Sequence, residues 1–259
     1  MLKYFFSTEV TSSKIISDRP LYLRTRKAYE VVKDLIKGNT LEIGCGEGYG
    51  VAIYHSKASQ LTLIDKSGYS VTSLKGKYPE ADVIQQRIPP LKNIPDNSFD
   101  SIVSFQVIEH IKNDALFLSE IFRVLKPGGK AFLTTPNADK TIVRNPWHYR
   151  EYKHEELKGV LSKVFTNISI KGIEGNSKTD VYYRNNEASV LKILKLDVFS
   201  LHEKLPAWIL KIPYELLNRM NRKKLLKQHK SEVIDINSED YTLNAYSAET
   251  LDFFCILEK

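Results

Sequence analysis

Two groups of residues in this 259-residue chain have the types and spacing to do chemistry. The first is TLEIGCGEGYG (40–50), where Gly44, Gly46, Gly48 and Gly50 alternate directly after an apolar run. Glycine loses more backbone freedom on folding than any other residue, so such a cluster belongs where backbone must approach something closely. Glu42 precedes the first glycine by two positions, and Asp65 closes the next apolar run, QLTLID (60–65). Carboxylates and bare backbone at neighbouring strand ends suit a polar, nucleotide-type ligand, with the amides of a following helix N-terminus adding donors. The second group is Glu109 and His110 in VIEHI together with NPWHYREY (145–152), which carries Trp147, His148, Tyr149, Glu151 and Tyr152. Histidine exchanges a proton near neutral pH, so His110 and His148 are the candidate general bases.

Alternating elements must position these groups. LYLRTRKAYEVVKDLIKG (21–38) has apolar residues at helical spacing and a C-terminal glycine, and NTLEIG (39–44) is a buried-strand candidate followed by a helix. Further strands are expected at 60–65, 81–86, 98–106 and 130–136, with helices at 68–78 and 112–125. PGG (127–129) separates the last helix from the last strand by removing a donor and permitting positive φ. Beyond lie a helix (154–164), a strand (165–175) and an apolar terminal strand (251–259). Strands alternating with helices predict right-handed crossovers and a doubly wound, mostly parallel sheet. In such sheets ligands bind at the carboxyl ends of the strands, where both chemical groups fall.

Composition narrows the class. The net charge is +7, yet residues 204–230 hold eight Lys or Arg against the single acid Glu215, and the remainder balances at 30 basic and 30 acidic residues. A local basic feature follows, and a broadly basic nucleic-acid surface does not. Only Cys45 and Cys255 are present, which excludes a disulfide framework or a cysteine metal knot. MLKYFFSTEV is too short an apolar stretch for a leader, and no run approaches about 18 apolar residues, so a reducing cytoplasm is the expected compartment.

Spacing discriminates among ligands. The dinucleotide fingerprint G-x-G-x-x-G fails because Tyr49 stands where its third glycine belongs, which disfavours a nicotinamide oxidoreductase. The pattern Glu42-x-Gly44-x-Gly46-x-Gly48 instead resembles the first motif of the class I S-adenosylmethionine-dependent methyltransferases. Residues 88–137, including SFDSIVSFQVIEHI and RVLKPGG, are similar to the same family, and the resemblance spans about 20–175 plus the last strand. It implies a Rossmann-like α/β fold: seven strands, the last antiparallel, with a helical insert before it. The implied organisation is a core (1–175), a mostly helical basic insert serving as lid or substrate cap (176–249) and a final core strand (250–259).

The resemblance also implies a cofactor, S-adenosylmethionine, leaving as S-adenosylhomocysteine. Its cofactor set here is Glu42, Gly44, Cys45, Gly46 and Gly48, then Asp65 for the ribose hydroxyls with Lys66 beside it. Gln86 and Arg87 replace the family's usual acidic and small residues near the adenine; the Gln86 carbonyl can still accept from its amino group. Phe105 and Gln106 match positions lining the methionine end, although Phe105 can equally be core. Tyr22 and Arg24 resemble an N-terminal element that grips the carboxylate in some relatives. His110 recurs in this family segment, which favours a structural or cofactor-side role.

Glu109, His110 and His148 partly resemble the E-x-x-E-H metal set of small-RNA 2′-O-methyltransferases, but Gln106 replaces the first acid, so no metal is expected. The acceptor expected is a small molecule, such as a quinone precursor or sugar. A metal-assisted RNA 2′-O-methyltransferase and a non-catalytic S-adenosylmethionine-binding module are the alternatives. In the basic segment Trp208, Ile212, Leu216 and Met220 repeat every four residues, which predicts a lid helix packed on the sheet domain. A membrane-surface segment and an anionic-substrate site are the other readings, the former weakened by Pro206 and Pro213, which should break the helix.

Overall fold

Short apolar runs pair side by side because each buries its backbone polar groups against the next. In the computed structural model, which describes residues 14–197 and 200–259, they form one sheet of order β3-β2-β1-β4-β5-β8-β6-β7. The strands are β1 (Asn39–Ile43), β2 (Gln60–Asp65), β3 (Asp82–Gln85), β4 (Phe99–Phe105), β5 (Leu125–Pro136), β6 (Asn167–Gly175), β7 (Tyr241–Ala245) and β8 (Asp252–Glu258). The helices are α1 (Arg19–Val32), α2 (Val51–Tyr54), α3 (Gly68–Lys77), α4 (Asp114–Val124), α5 (His154–Leu161), α6 (Ser177–Leu194), α7 (Leu201–Lys204), α8 (Ala207–Gln228) and α9 (Lys230–Asp235). The opening stretch 1–10, read above for a leader, lies outside the described residues.

Strands β1 to β5 pair in parallel, and β8 runs antiparallel to both β5 and β6, as expected. The sheet is doubly wound. Phe117, Leu118 and Ile121 of α4 and Leu157 and Leu161 of α5 pack on one face, against Leu41, Ile43 and Ile102. Leu23, Ala28, Tyr29 and Val32 of α1 pack on the other, with Val103, Phe132 and Phe254. The alternation of side chains along β1 therefore sends Leu41 and Ile43 to one core and Glu42 to the other. The count is eight strands where seven are expected. Before entering β8, the chain lays down β7 along the outer edge of β6 in antiparallel register, which covers an edge that would otherwise present unpaired backbone. The PGG segment also differs: β5 begins at Leu125 and absorbs it, with a register shift opposite Phe99–Ser101.

The basic segment departs further from expectation. α8 runs unbroken for 22 residues with Pro213 inside it and Pro206 as its N-cap. Pro213 lies on the exposed side, where water can satisfy the carbonyl that its missing N–H leaves unpaired. The apolar row does not face the domain: Trp208 is 74% exposed, Ile212 79%, Leu216 61% and Met220 56%. The buried residues of α8 are Arg219, Asn221, Arg222 and Leu225. The docking contact is ionic. Asp18, fully buried just ahead of α1, accepts from Arg219 Nη1 at 2.9 and 3.1 Å and from Arg222 Nη1 at 3.0 Å.

Removing a buried charge strands its partners, so Asp18→Ala should cost about 3–5 kcal/mol in chemical denaturation. A loss below about 1 kcal/mol, the range of exposed pairs, would show that this contact does not hold α8.

Candidate functional site

The glycine loop begins where β1 ends. Gly44 has φ +78°, and a Cβ there would lie 2.5 Å from Val107 Cγ2. A Cβ on Gly50 would sit 2.1 Å from the Tyr29 ring, so this glycine exists to let α1 close over the loop. The helix that follows, α2, is a single turn of four residues. Its dipole is correspondingly short, and the amides of Gly44, Cys45 and Gly48 are spent on backbone carbonyls of Ile64 and Cys45. Asp65, at the tip of β2, orders two others: Oδ2 accepts from Gly46 N at 2.8 Å and Oδ1 from Ser67 N at 2.7 Å. The half-buried carboxylate thus joins the loops after β1 and β2 at the carboxyl edge of the sheet. The glycines let the loop pack closely on Val107, Leu74 and Tyr29 beside an ordered carboxylate, whose acceptor chemistry fits a ribose diol.

The other expected cofactor residues divide. Gln86 follows β3, its backbone N–H donating to the Asp65 carbonyl at 3.0 Å and its Nε2 to the Pro90 carbonyl at 2.6 Å. The amide's hydrogens thus have a protein acceptor and its oxygen remains the ligand-facing chemistry. Lys66 and Arg87 are exposed beside these positions. Tyr22 meets Tyr49 of the glycine loop edge-on at 5.0 Å. Arg24 turns elsewhere, its Nε 2.7 Å from Asp252 Oδ2 in a buried pair at the start of β8. Burial pushes the Asp252 carboxyl up, with Arg24 and Gln106 pulling against it.

Three of the expected contacts are corrected. Cys45 packs its side chain among Val51, Leu63, Val71 and Leu74, and burial pushes its thiol up, so only its backbone borders the loop. Phe105 is core, 4.8 Å from the Tyr29 ring and 5.8 Å from Phe254. Glu42 is 1% exposed and faces the α1–α2 side of the sheet, where it accepts from Tyr29 Oη at 2.7 Å and from Tyr54 Oη. A carboxylate with both oxygens taken by tyrosines supports the loop from beneath and does not present acceptors to a ligand. Sequence reading missed both tyrosines; the signal was a pair of hydroxyl-bearing residues on the inner faces of helices flanking β1.

The second group assembles at the ends of β4 and β5. Gln106 adopts φ +56°, uncommon for a residue with a side chain, and donates from its backbone to Thr134 O at 2.9 Å and from Nε2 to Thr134 Oγ1 at 3.4 Å. Backbone bonds from Tyr149 N to Glu109 O at 2.8 Å fold the 141–152 loop onto this turn. Glu109, His110 and His148 thereby converge, their ligand atoms all within 4.8 Å of one another. Each also has a protein partner. Glu109 Oε2 accepts from Thr135 Oγ1 at 3.1 Å, and His110 Nδ1 lies 3.0 Å from Trp147 O. His148 Nδ1 lies 2.5 Å from Glu151 Oε1, and its Nε2 2.9 Å from Asn145 Nδ2. Asn145 Nδ2 can only donate, so His148 is held between this amide and the Glu151 carboxylate. Burial pushes the Glu109 carboxyl up to about 7, countered by His148, so this carboxyl can exchange a proton near neutrality. Asp252 and Thr135 are site residues that sequence reading missed; an acid opening an otherwise apolar terminal strand was the available signal.

A Rossmann-like sheet with a glycine loop and an acid at its carboxyl edge is an arrangement suited to a nucleotide-type ligand. Residues 41–133 match the family described as "Methyltransferase domain". A "probable S-adenosylmethionine-dependent methyltransferase" of Mycolicibacterium smegmatis is 38% identical over 128 residues, 48% of this chain and 49% of that protein. A ubiquinone biosynthesis O-methyltransferase of Rickettsia typhi is 27% identical over 55% of this chain and 64% of its own. The matched region spans about half the length of the first of these relatives. In fold, a SAM-dependent methyltransferase from Thermotoga maritima superposes with a TM-score of 0.56 at 14% identity, over 94% of this chain and 91% of its own. One from Archaeoglobus fulgidus gives 0.54 at 17%, over 93% and 94%. Residues 41–133 are thus similar to a methyltransferase domain, and the relatives that share this region are named S-adenosylmethionine-dependent methyltransferases.

The buried carboxylate under the loop sets a pH dependence. Desolvation pushes Glu42 up to about 7 from an ordinary 4.5, Asp65 adding to it and the two tyrosines opposing. A carboxyl raised in the folded state holds its proton more tightly there than in the unfolded chain. Its contribution is therefore full below about 4.5 and lost as pH rises through about 7. The swing is on the order of 3 kcal/mol. Glu42→Gln, which cannot titrate, should show a shallower decline in unfolding free energy across that window than the wild type. Parallel curves would contradict the assignment.

Proposed function

We propose that the chain transfers a methyl group from S-adenosylmethionine to a small-molecule acceptor. The observation that carries the reading is Asp65, held by amides from two loops directly across from the side-chain-free glycine turn. Its carboxylate would accept from the ribose hydroxyls, the glycine loop would lie along the aminoacyl chain, and the Gln86 oxygen would receive the adenine amino group. When bound, the sulfonium supplies an electrophilic methyl group for in-line displacement. What the chain's own residues contribute is alignment and exclusion of water.

The acceptor would enter over the ends of β4, β5 and β8. The Arg24–Asp252 pair and Gln106 would form the floor there, and the 141–152 loop would form a wall carrying His148, Glu151 and Trp147. A hydroxyl acceptor needs its proton removed, and Glu109 and the His148–Glu151 pair are the groups placed to take it. The resemblance to a relative named for ubiquinone biosynthesis supports a phenolic hydroxyl as the first acceptor to try. The helical part of the 176–249 stretch, from Ser177 to Asp235, would form a cap over this side, with β7 joining the sheet.

Calorimetric titration with S-adenosylhomocysteine should show one site, with no heat from a nicotinamide cofactor. Asp65→Ala should weaken binding about tenfold or more, as loss of charge-assisted hydrogen bonds requires. Equal affinity in the variant, or no binding by the wild type, would overturn the reading.

A further inference from the structure

The proposed transfer leaves α8 unexplained. Nine of the sixteen large hydrophobic residues that stand exposed among the described residues lie between 191 and 220. Six of them, Trp208, Ile209, Ile212, Leu216, Leu217 and Met220, share the outward side of the first part of this one helix. Along the same outward side the last turns carry the exposed Lys223, Lys224 and Lys227. The only acid of α8, Glu215, is turned inward to accept from Trp147 Nε1 at 2.7 Å. Soluble proteins rarely leave a contiguous apolar strip of this kind in water without a use for it.

Two features choose the occupant. The whole positive excess of the chain falls in 204–230, so the strip is embedded in the one basic region of an otherwise neutral protein. Nucleic acid would use the lysines and leave Trp208, Ile212 and Leu216 with nothing to bury them. An anionic lipid surface uses both: acyl chains receive the apolar residues, and headgroups meet the lysines. Tryptophan suits that boundary because its ring is apolar and its N–H wet. No helix among the described residues is long and apolar enough to cross a membrane, so the contact is one of lying on the surface. The helix is also firmly seated, because Arg219 and Arg222 on its inward side clamp the buried Asp18.

We propose that α8 docks this protein onto anionic membrane surfaces through Trp208, Ile212, Leu216 and Met220, with Lys223, Lys224 and Lys227 against the headgroups. Docking would bring the acceptor loop to the interface, since Lys211 Nζ lies 4.0 Å above the Trp147 ring and Glu215 holds its N–H. The site would then face acceptors dissolved in the lipid phase, a clause that alone rests on the proposed methyl transfer.

The full chain is sedimented with vesicles of phosphatidylcholine alone or with about a third phosphatidylglycerol, at low and high salt. The expected result is pelleting with the anionic vesicles only, weakened at least fivefold by Lys223→Gln/Lys224→Gln/Lys227→Gln. Ile212→Glu/Leu216→Glu should abolish it while leaving the melting temperature and S-adenosylhomocysteine affinity unchanged, because both side chains already stand in water. Absence of pelleting with anionic vesicles overturns the proposal. So does pelleting that the double variant retains, which would mark a general polyanion surface. A dimer in analytical ultracentrifugation that the double variant dissociates would give the strip to a second copy of the chain, and also overturns it. Vesicle binding is read without turnover, so an inactive enzyme leaves this result interpretable.

Discussion

Glu42 occupies a central strand with almost no surface exposed, and its two oxygens accept the hydroxyls of Tyr29 on α1 and Tyr54 on α2. A carboxylate moved from water into such a place without partners is costly, so this strand is acceptable only when both helices are seated. Seating α1 requires the Tyr29 ring to lie against position 50, which is why a side chain is excluded there. The same ring packs on Phe105 at the end of β4. One buried acid thus connects the first strand, two helices, the glycine loop and the neighbouring strand. The loop is held from below, with the Gly46 amide left to face Asp65 above.

This arrangement separates two tasks that a single row of acids could have shared. Glu42 supports the loop, and Asp65 is the acid the proposed reading gives to the ligand. Asp65 is half-buried, accepts from two backbone amides, and stands at the strand end where the sheet opens. The side proposed for the acceptor is built from different strands: the left-handed turn at Gln106, the buried Glu109, and the Arg24–Asp252 pair where β8 begins. Asp252 lies opposite Pro136 in the β5–β8 register, so the antiparallel last strand contributes its first residue to the same edge at which the parallel strands end.

Much of this was legible in the residues. Apolar runs marked β1 to β6 and β8, and the departure from G-x-G-x-x-G together with Asp65 pointed to a methyl-donor site. Periodicity shows which residues share a helix face, but not what that face meets. The row from Trp208 to Met220 was therefore read as inward, when the inward contact of α8 is two arginines on Asp18, about two hundred positions away in sequence. Glu42 was misread for a related reason: alternation along a strand assigns a side, and only the helices packed there show that the side is closed. β7 escaped notice because TLNA is neither strongly apolar nor alternating, and it is a strand by virtue of the edge it covers. Glu109, His110 and His148 were each identifiable, whereas their convergence depends on a loop folding back through backbone bonds that no side-chain pattern announces.

The most direct measurement is a crystal structure of the protein with S-adenosylhomocysteine. The account predicts the ribose hydroxyls within hydrogen-bonding distance of Asp65, the homocysteine end along the glycine loop, and Glu42 still bound by Tyr29 and Tyr54. A ligand contacted by Glu42 with the tyrosines released, or one seated away from the loop between β1 and β2, would contradict it.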